Sequence, residues 1–424
     1  MLPRNPAWRA RHGEDRPVAV PRHPPGRATA IASRDEGDRL DLPLRCRGHF
    51  GVPDDVVWLD TAHQGPLPLR AEKALRRALS WKTDPSQLPD EEFFATPDRL
   101  RTALGALLRL PESELVVGNS ASYGLDLLAR GLPFRKGEEI LLVGDDFPAT
   151  ITPWLPLRER GVRLRFLPHR SRIDASVVAD ALAPRTRLFC TTWVDSFSGH
   201  VMDAAGVGAV CRDAGVLFVL NATQGLGVRP LDVEAASVDA VTCAGYKWLC
   251  GPYGTGFCWI SGRVMDRLRP GRRYWLPSAR ERGLHDLEQL TRGPAPAAPA
   301  VHDVFCTASF LNVLPWIAAV EYLAELGLER VGAHNAALVE ALRKVAEDNG
   351  LGSRAAGSGS VESPMLVIEG LRTEAALRLT STLRERGIHV ALRGGRIRVT
   401  PHVHNGPEDV ERFASALATW RRHA

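Results

Sequence analysis

The sequence predicts an α/β protein with a mostly parallel sheet of the seven-stranded type, followed by a small α+β C-terminal domain. Short runs that are apolar almost throughout alternate with helix-length segments, which is typical of buried parallel strands joined by crossover helices. Beyond a Pro/Ala-rich connector at 293–300, longer helical patterns surround a few short strands. This change in the sequence pattern indicates a second, smaller domain with a different architecture.

The elements of the larger domain follow in chain order. Apolar residues recur at three- and four-residue spacing over 71–81 and 98–110, which predicts helices. Apolar runs then predict six strands. These are EILLV (139–143), RLRFL (163–167), RLFCT (187–191), VLFVL (216–220), DAVTC (239–243) and GFCWI (256–260).

The C-terminal part combines helices and short strands. Helices are expected at about 310–326, 330–348, 373–387 and 407–422, and strands at MLVIEG (365–370), HVALR (389–393) and RIRVT (396–400). We therefore divide the folded chain into a large domain over 48–292 and a small domain over 293–424. The first segment of the large domain is expected to contribute to the small one.

Residues 1–47 differ in composition from the rest. They hold ten arginines against six acidic residues, a net charge of +4 within a chain total of +5, and are rich in Pro, Gly and Ala. They lack the apolar core of a secretory signal. We interpret them as a flexible Arg/Pro-rich tail of a cytoplasmic protein, or as upstream sequence included by an early start codon.

The overall composition narrows the class of protein. Hydrophobic residues make up 44% and charged residues 24%, an ordinary globular balance. No apolar run approaches the roughly 20 residues that span a bilayer, and no basic stripe with aromatics suggests nucleic-acid binding. The seven cysteines are scattered, so we expect buried reduced thiols and no metal site.

Open α/β sheets bind ligands at the carboxyl ends of their strands, so the residues after each strand are the candidates. The turn NSASYG (119–124) opens a helix, and a helix N-terminus suits a phosphate group, although a serine N-cap explains such a turn equally. Phe147 follows EILLV and Ser196 follows RLFCT, while Asn221 and Gln224 follow VLFVL. Phe147 taken alone is more typical of a core residue.

Lys247 is the most unusual of these residues. It stands between Tyr246 and Trp248 in the apolar, glycine-flanked segment AGYKWLCGPYGTG. Burial lowers the pKa of a lysine, and a neutral amine is what attacks an aldehyde. The alternative is a lysine whose stem packs while its ammonium reaches the surface.

Together these segments resemble the class V aminotransferase family of fold-type I pyridoxal 5'-phosphate (PLP) enzymes. That family includes cysteine desulfurases, kynureninase and isopenicillin N epimerase-like proteins. The resemblance runs over about 58–410, and its most specific piece extends from Asn221 to Gly256, where Asn221 precedes Lys247 by 26 positions. It implies a fold-type I PLP-dependent transferase fold, PLP as cofactor and a homodimer.

The resemblance also implies a role for each matching residue. Lys247 matches the lysine that holds PLP as an imine and later moves the proton at the substrate's α-carbon. The remaining cofactor contacts would be Ala121, Ser122 and Tyr246 at the phosphate, Phe147 stacked on the ring, Ser196 and Gln224 near the phenolic oxygen, and Asn221 at the pyridine nitrogen.

Two further positions would complete the site. Thr307 matches a threonine that reaches the phosphate of the neighbouring subunit. Arg398 matches the arginine that clamps the substrate carboxylate, and its fork of donors suits an α-amino acid. His63 and Gln64, with the 270–290 loop, are candidates for contacting the substrate side chain.

This sequence departs from the family at two positions. Asn221 replaces the aspartate that pairs with the protonated pyridine nitrogen, which weakens the cofactor as an electron sink. Ala244 stands where relatives commonly have a phosphate-binding serine. The asparagine allows three interpretations: elimination of a good leaving group, a decarboxylation or oxidation, or an impaired enzyme. The intact Lys247 and Arg398 argue against the last.

The resemblance is strongest to the isopenicillin N epimerase branch. No cysteine lies between Thr307 and Ala424, so sulfur transfer through a persulfide in this region is not expected. We therefore expect β-elimination or decarboxylative deamination of an α-amino acid or cysteine S-conjugate in bacterial specialised metabolism, as in enzymes that tailor lincosamide antibiotics. An epimerase or aminotransferase is the alternative, and a catalytically inactive PLP-binding protein is the alternative of another class.

Overall fold

The computed structural model describes residues 42–168, 173–269, 274–280, 284, 299–354 and 363–423. Residues 40–424 form one compact unit. The helices are α1 Leu69–Thr83, α2 Glu92–Leu108, α3 Ala121–Gly131, α4 Pro148–Ile151, α5 Ala175–Ala181, α6 Ala204–Asp213, α7 Gly262–Met265, α8 Phe310–Leu326, α9 Leu328–Asp348, α10 Thr373–Glu385 and α11 Pro407–His423. The strands are β1 Val57–Trp58, β2 Leu115–Gly118, β3 Glu139–Val143, β4 Arg163–Leu167, β5 Thr186–Thr192, β6 Leu217–Asn221, β7 Ala240–Ala244, β8 Gly256–Ile260, β9 Gly352–Arg354, β10 Leu366–Glu369, β11 Ile388–His389, β12 Ala391–Arg393 and β13 Arg396–Val399.

The large sheet has seven strands in the order β2-β8-β7-β6-β5-β3-β4. Only β8 runs antiparallel to its neighbours. The α/β fold with a mostly parallel seven-stranded sheet is therefore confirmed. The six strands expected from apolar runs lie within one residue of the observed bounds. For the five other than β4 the reason is that a strand buried on both faces must be apolar at nearly every position.

Helices cover both faces of this sheet. Phe189 of β5 and Phe218 of β6 face one side, where their rings stack 5.8 Å apart in a core shared with α1, α2, α6 and α8. Leu188 and Val219, the alternate residues, face the other side with α3 and α7. Successive side chains of a strand point to opposite faces, so each central strand contributes to two cores.

The strand β4 differs from the expectation of an apolar run. It lies at the edge of the sheet with β3 as its one neighbour, and four of its five residues are exposed or half-buried. Phe166 is 42% exposed, and the guanidinium of Arg158 lies 5.9 Å from the centre of its ring. An edge strand is covered on fewer sides, so it retains arginines that a central strand could not bury.

A second sheet, in the order β12-β13-β10-β9, is antiparallel throughout. Beside it β1 pairs in parallel with β11, with Val57 opposite Ile388. Val57, Ile388, Ile397 and Phe413 are buried together in a third core. The N-terminal segment thus packs with the C-terminal elements. The division into 48–292 and 293–424 stays a prediction, and most of the connector lies outside the described residues.

Residues 42–47, which the sequence assigned to the tail, pack against the folded body instead. Leu42, Leu44 and Cys46 are 7%, 5% and 4% exposed. They are the apolar residues of an otherwise polar stretch, and Leu44 and Cys46 join the main core. The rest of the predicted tail, residues 1–41, lies outside the described residues.

The helix α8 is apolar around most of its surface because α1, α2 and α9 pack against it. Trp316 is completely buried. Gly327, with a φ of +81°, joins α8 to α9 at a bend of 81°. Among the described residues no single helix is long and apolar enough to cross a membrane, and this bent pair passes that test by length and composition only.

Candidate active site

A cavity of about 160 Å³ lies at the carboxyl ends of the central strands. Parallel strands end at the same edge of a sheet, so residues that follow different strands meet there. All the cofactor-contacting residues proposed from the sequence, except Thr307, line this cavity. The lining residues are Ser120, Ala121, Ser122, Phe147, Ala149, Thr192, Ser196, Asn221, Thr223, Gln224, Ala244, Tyr246 and Lys247.

The Lys247 side chain is 7% exposed and lies between two aromatic rings. Its Nζ is 5.3 Å from the ring centre of Phe147 and 5.8 Å from that of Tyr246. Burial, and next the positive charge of Arg398, lower the pKa of Lys247 to about 8. A substantial fraction of the amine is therefore neutral near physiological pH, as nucleophilic attack on an aldehyde requires.

The backbone around Lys247 is held from two directions. The N–H of Gly65 donates to the carbonyl of Tyr246 at 2.9 Å, and a Cβ at Gly65 would overlap the carbonyl oxygen of Lys247. This close approach requires glycine. On the other side, Nε2 of His402 lies 3.0 Å from the carbonyl oxygen of Trp248.

His402 and His404 act as buried donors to backbone. Nε2 of His404 lies 3.0 Å from the carbonyl oxygen of Trp58, and since a carbonyl only accepts, Nε2 of each ring carries a proton. Burial lowers the pKa of His402 to about 3 and that of His404 to about 4, so both rings are neutral. Within the described ranges no group of three His, Cys, Asp or Glu side chains could hold a metal ion.

The N-terminus of α3 opens onto the cavity. Ser120 caps the helix, and its Oγ accepts from the N–H of Tyr123 at 3.2 Å. The N–H groups of Ala121 and Ser122 belong to the first turn, where no intrahelical acceptor exists. Gly256 permits this placement, because a Cβ there would overlap the backbone of Ser120. The result is an anion-binding turn of the kind that accepts a phosphate.

Phe147 is positioned by the preceding residue, Asp146, which sequence reasoning did not nominate. The Asp146 carboxylate accepts from the N–H groups of Phe147 (2.6 Å) and Thr192 (2.9 Å). It also accepts from Thr192 Oγ1 at 2.8 Å and Thr191 Oγ1 at 3.1 Å. Burial raises the pKa of Asp146 while these hydrogen bonds oppose the rise. The carboxylate therefore fastens the Phe147 turn to the end of β5.

The amide of Asn221 has a defined orientation. Its Nδ2 donates to Thr150 Oγ1 at 3.0 Å, and its Oδ1 accepts from the N–H of Thr223 at 3.2 Å. Thr223 Oγ1 in turn accepts from the N–H of Ala244. Thr223, like Thr192, lines the cavity and was missed from the sequence, although its place just after a central strand was a usable signal.

Gln224 joins the N-terminal segment to the strand end. Its Nε2 donates to the carbonyl of Ala62 at 3.1 Å, and its Oε1 accepts from Trp248 Nε1 at 3.0 Å. Gln224 thus lines the cavity, and its amide hydrogen-bonds both Ala62 and Trp248. Its contact with the cofactor stays a prediction.

Arg398 is 3% exposed and lies outside the cavity lining. Its Nη1 donates to the carbonyl of Ser196 at 3.1 Å, and its Nη2 donates to Asp60 Oδ1 at 3.3 Å. Ser196 lines the cavity, and the charge of Arg398 lowers the pKa of Lys247. The guanidinium is therefore anchored beside the cavity.

The structure does not bring the remaining candidates into the cavity lining. His63 is exposed and Gln64 is half-buried, and their N–H groups close a turn on the carbonyl of Asp60. Thr307 is 3% exposed within its own chain. Residues 274–280 and 284 are the described part of the 270–290 loop. The roles proposed for these residues stay predictions.

A buried, partly neutral amine at the carboxyl edge of this sheet, opposite an aromatic ring and a phosphate-binding helix N-terminus, defines a PLP-dependent enzyme. The aminotransferase class-V family matches residues 89–404, so the chain belongs to that family. The site fits PLP because it offers the amine, the anion-binding turn and the ring-sized cavity together.

Similar proteins agree with this assignment. The chain is 26% identical over 329 residues to a probable cysteine desulfurase of Methanothermobacter thermautotrophicus, covering 74% of this chain and 76% of that protein. It is 26% identical over 396 residues to isopenicillin N epimerase of Streptomyces clavuligerus, covering 88% and 96%. A structure of C-DES with glycine covalently linked to its PLP cofactor shares the fold, with a TM-score of 0.76, 20% identity and coverage of 88% and 98%.

The lowered pKa of Lys247 predicts the pH dependence of cofactor capture. When apoprotein is mixed with PLP, the rate of covalent attachment should rise with pH and level off above about 8, because the neutral amine is the nucleophile. Stopped-flow absorbance measures this rate. Lys247→Arg should show no attachment, since a guanidinium stays protonated. A rate that does not change across one pH unit on either side of that value would contradict the assignment.

Proposed function

We propose that this PLP-dependent enzyme binds an α-amino acid through its carboxylate at Arg398 and eliminates the group on its β-carbon. The substrate class we propose is a cysteine S-conjugate, handled in bacterial specialised metabolism. The observation that carries the choice of reaction is the fixed, neutral amide of Asn221 at the end of β6.

PLP, when bound, withdraws electrons from the substrate's α-carbon. A carboxylate at position 221 would favour a proton on the pyridine nitrogen and so strengthen that effect. The amide lowers the pKa of that nitrogen, by about one to three units, or roughly 1.4 kcal/mol per unit. A reaction that proceeds by expelling a stable thiolate depends less on a strong electron sink, and this favours elimination at a C–S bond.

The chain's own residues supply the remaining steps. The neutral amine of Lys247 takes the proton from the α-carbon, and its depressed pKa suits it to this exchange. Phe147 and Tyr246 flank the amine, and Lys247 is 7% exposed. The N-terminus of α3 holds the phosphate, and Arg398 orients the carboxylate.

The similar proteins do not identify the reaction of this chain, since their names include desulfurases, an epimerase and kynureninase. Decarboxylative deamination is the second form of the proposal, with dioxygen as the two-electron oxidant that takes up the electron pair left at the α-carbon when carbon dioxide departs. Epimerisation or transamination is the alternative among enzymes. A catalytically inactive PLP-binding protein is the alternative outside them.

Product analysis with S-phenyl-L-cysteine tests the proposal. The holoenzyme should release thiophenol, pyruvate and ammonia in equal amounts, and Lys247→Ala should release none. Aldehyde and carbon dioxide would point to decarboxylative deamination instead. Exchange of the α-proton with deuterated solvent as the sole reaction would favour epimerisation. If neither products nor a change in absorbance appear, the enzymatic proposal is wrong.

Asn221→Asp should alter the ratio of α-proton exchange to thiol release. The new carboxylate raises the pKa of the pyridine nitrogen, so α-proton exchange should gain several-fold on thiol release. Solvent deuterium incorporation measured against thiophenol release gives the ratio. Thr150→Val removes the acceptor of the Asn221 amide without adding charge and serves as the control. An unchanged ratio in Asn221→Asp would refute the role given to this residue.

We also propose a homodimer in which Thr307 contacts the phosphate bound by the neighbouring subunit. Exposed aromatic residues support such a contact. Phe305, two positions before Thr307, is 47% exposed, and Trp275, whose neighbour Tyr274 contacts the Phe305 ring, is 49% exposed. Sedimentation velocity should give twice the chain mass of 46.3 kDa. Thr307→Ala should keep that mass while losing PLP several-fold faster on dialysis. A monomer that retains PLP fully would contradict both the homodimer and the phosphate contact of Thr307.

A further inference from the structure

The hairpin of β12 and β13 presents a row of arginines on one face. Arg393 lies opposite Arg396, and Arg398 lies two positions further along the same face. Ile397, which points the other way, belongs to the C-terminal core. Val367, opposite Arg398 on β10, belongs to the main core. Directly opposed and alternate side chains share a face, so the arginine face is turned toward the large sheet.

The Arg398 guanidinium already has an anionic partner inside the protein. Asp60 is 7% exposed and accepts from Nη2 at 3.3 Å. This pair carries no net charge, so a substrate carboxylate that approached Arg398 would also meet the negative charge of Asp60. Nε of Arg398 is buried and, among the described residues, has no hydrogen-bond partner. This Nε–H donor is available to a ligand, but Arg398 alone does not provide the electrostatic attraction for a carboxylate.

Arg393 has no such partner. No described carboxylate lies within ion-pair distance of it, and its Nη1 donates to the carbonyl of Leu392 at 3.1 Å. It is the diagonal neighbour of Arg398, a relation that places Cβ atoms about 7–8 Å apart, within reach of long side chains. Burial is the main cause of the pKa shifts of Asp60 (raised), Lys247 and Arg398 (both lowered), and the charge of Arg393 is a smaller contribution to each, so it acts on the same site.

We propose that Arg393 is a further substrate-binding residue, which supplies the net positive charge that holds the carboxylate at the Arg398 site. Two arginines against Asp60, the carboxylate in direct contact with Arg398, leave one positive charge, which matches one carboxylate. Asp195 also acts on Arg398 electrostatically, but its Oδ1 accepts from the N–H groups of Phe197 and Ser198. Asp60 then acts as a positioning residue. It holds the Arg398 guanidinium in place, but it also cancels the positive charge of that guanidinium. This inference rests on the proposed function, in which Arg398 binds the carboxylate of an amino acid.

Calorimetric titration of the holoenzyme with propionate tests the inference, because propionate has the carboxylate but no amino group to react. Arg393→Gln should weaken binding roughly ten- to fiftyfold, as expected for unit charges about 7 Å apart at an effective dielectric constant of about 20. Arg393→Lys keeps the charge and should stay within about threefold of the wild type. Asp60→Asn should tighten binding.

Arg396→Gln is the matched control. Arg396 lies directly opposite Arg393 in the hairpin, but it pairs with Glu369 at 3.4 Å, so its removal should change propionate affinity less than about twofold. Equal weakening by Arg396→Gln and Arg393→Gln would show a general effect of surface charge and overturn the inference.

Arg398→Gln separates failure of the inference from failure of the proposed function. If this variant loses propionate while Arg393→Gln binds it like the wild type, Arg393 has no binding role and the carboxylate site stands. If Arg398→Gln binds propionate normally, or the wild type does not bind it, the proposed carboxylate site is wrong and the inference falls with it. Arg393 is half-buried, and circular dichroism verifies that its variants fold.

Discussion

The close approach of the backbone at Gly65 to the backbone of Tyr246 and Lys247 is the constraint on which the active site depends. It brings a segment from the start of the folded chain directly against the turn that carries the reactive amine. The same segment pairs through Asp60 with Arg398 of the C-terminal sheet. One short stretch therefore links the lysine to the buried arginine beside the cavity.

Several charged groups are buried around this junction, and each affects the others. Lys247 loses solvation and lies near the positive Arg398, so its pKa falls to about 8. The guanidinium of Arg398 stays charged even when buried, and Asp60 and the carbonyl of Ser196 accept its hydrogen bonds. Removing one member of such a cluster leaves another buried charge without compensation, which is costly in a medium of low dielectric constant. The electrostatics of the site therefore belong to the cluster as a unit.

Family membership determines the cofactor, while individual residues of this chain direct its chemistry. The helix N-terminus, the amine and the aromatic ring are what binding of PLP requires. Asn221, by contrast, is held as a neutral amide by Thr150 and Thr223, where an aspartate would carry a charge. Asp146 follows β3, which β5 separates from β6, and its carboxylate is engaged by Thr191 and Thr192 of β5. It therefore secures Phe147 in place.

The sequence by itself determined the central strands and the residues that follow them. Buried parallel strands are apolar throughout, and their carboxyl ends meet at one edge, so Phe147, Asn221 and Lys247 could be placed together before any coordinates were known. The tertiary structure alone decided the pairing of Asp60 with Arg398, 338 positions apart. It also decided that the hairpin face with Arg393 is turned toward the large sheet. Local patterns report the burial and periodicity of a segment, whereas these contacts depend on which distant segments pack together.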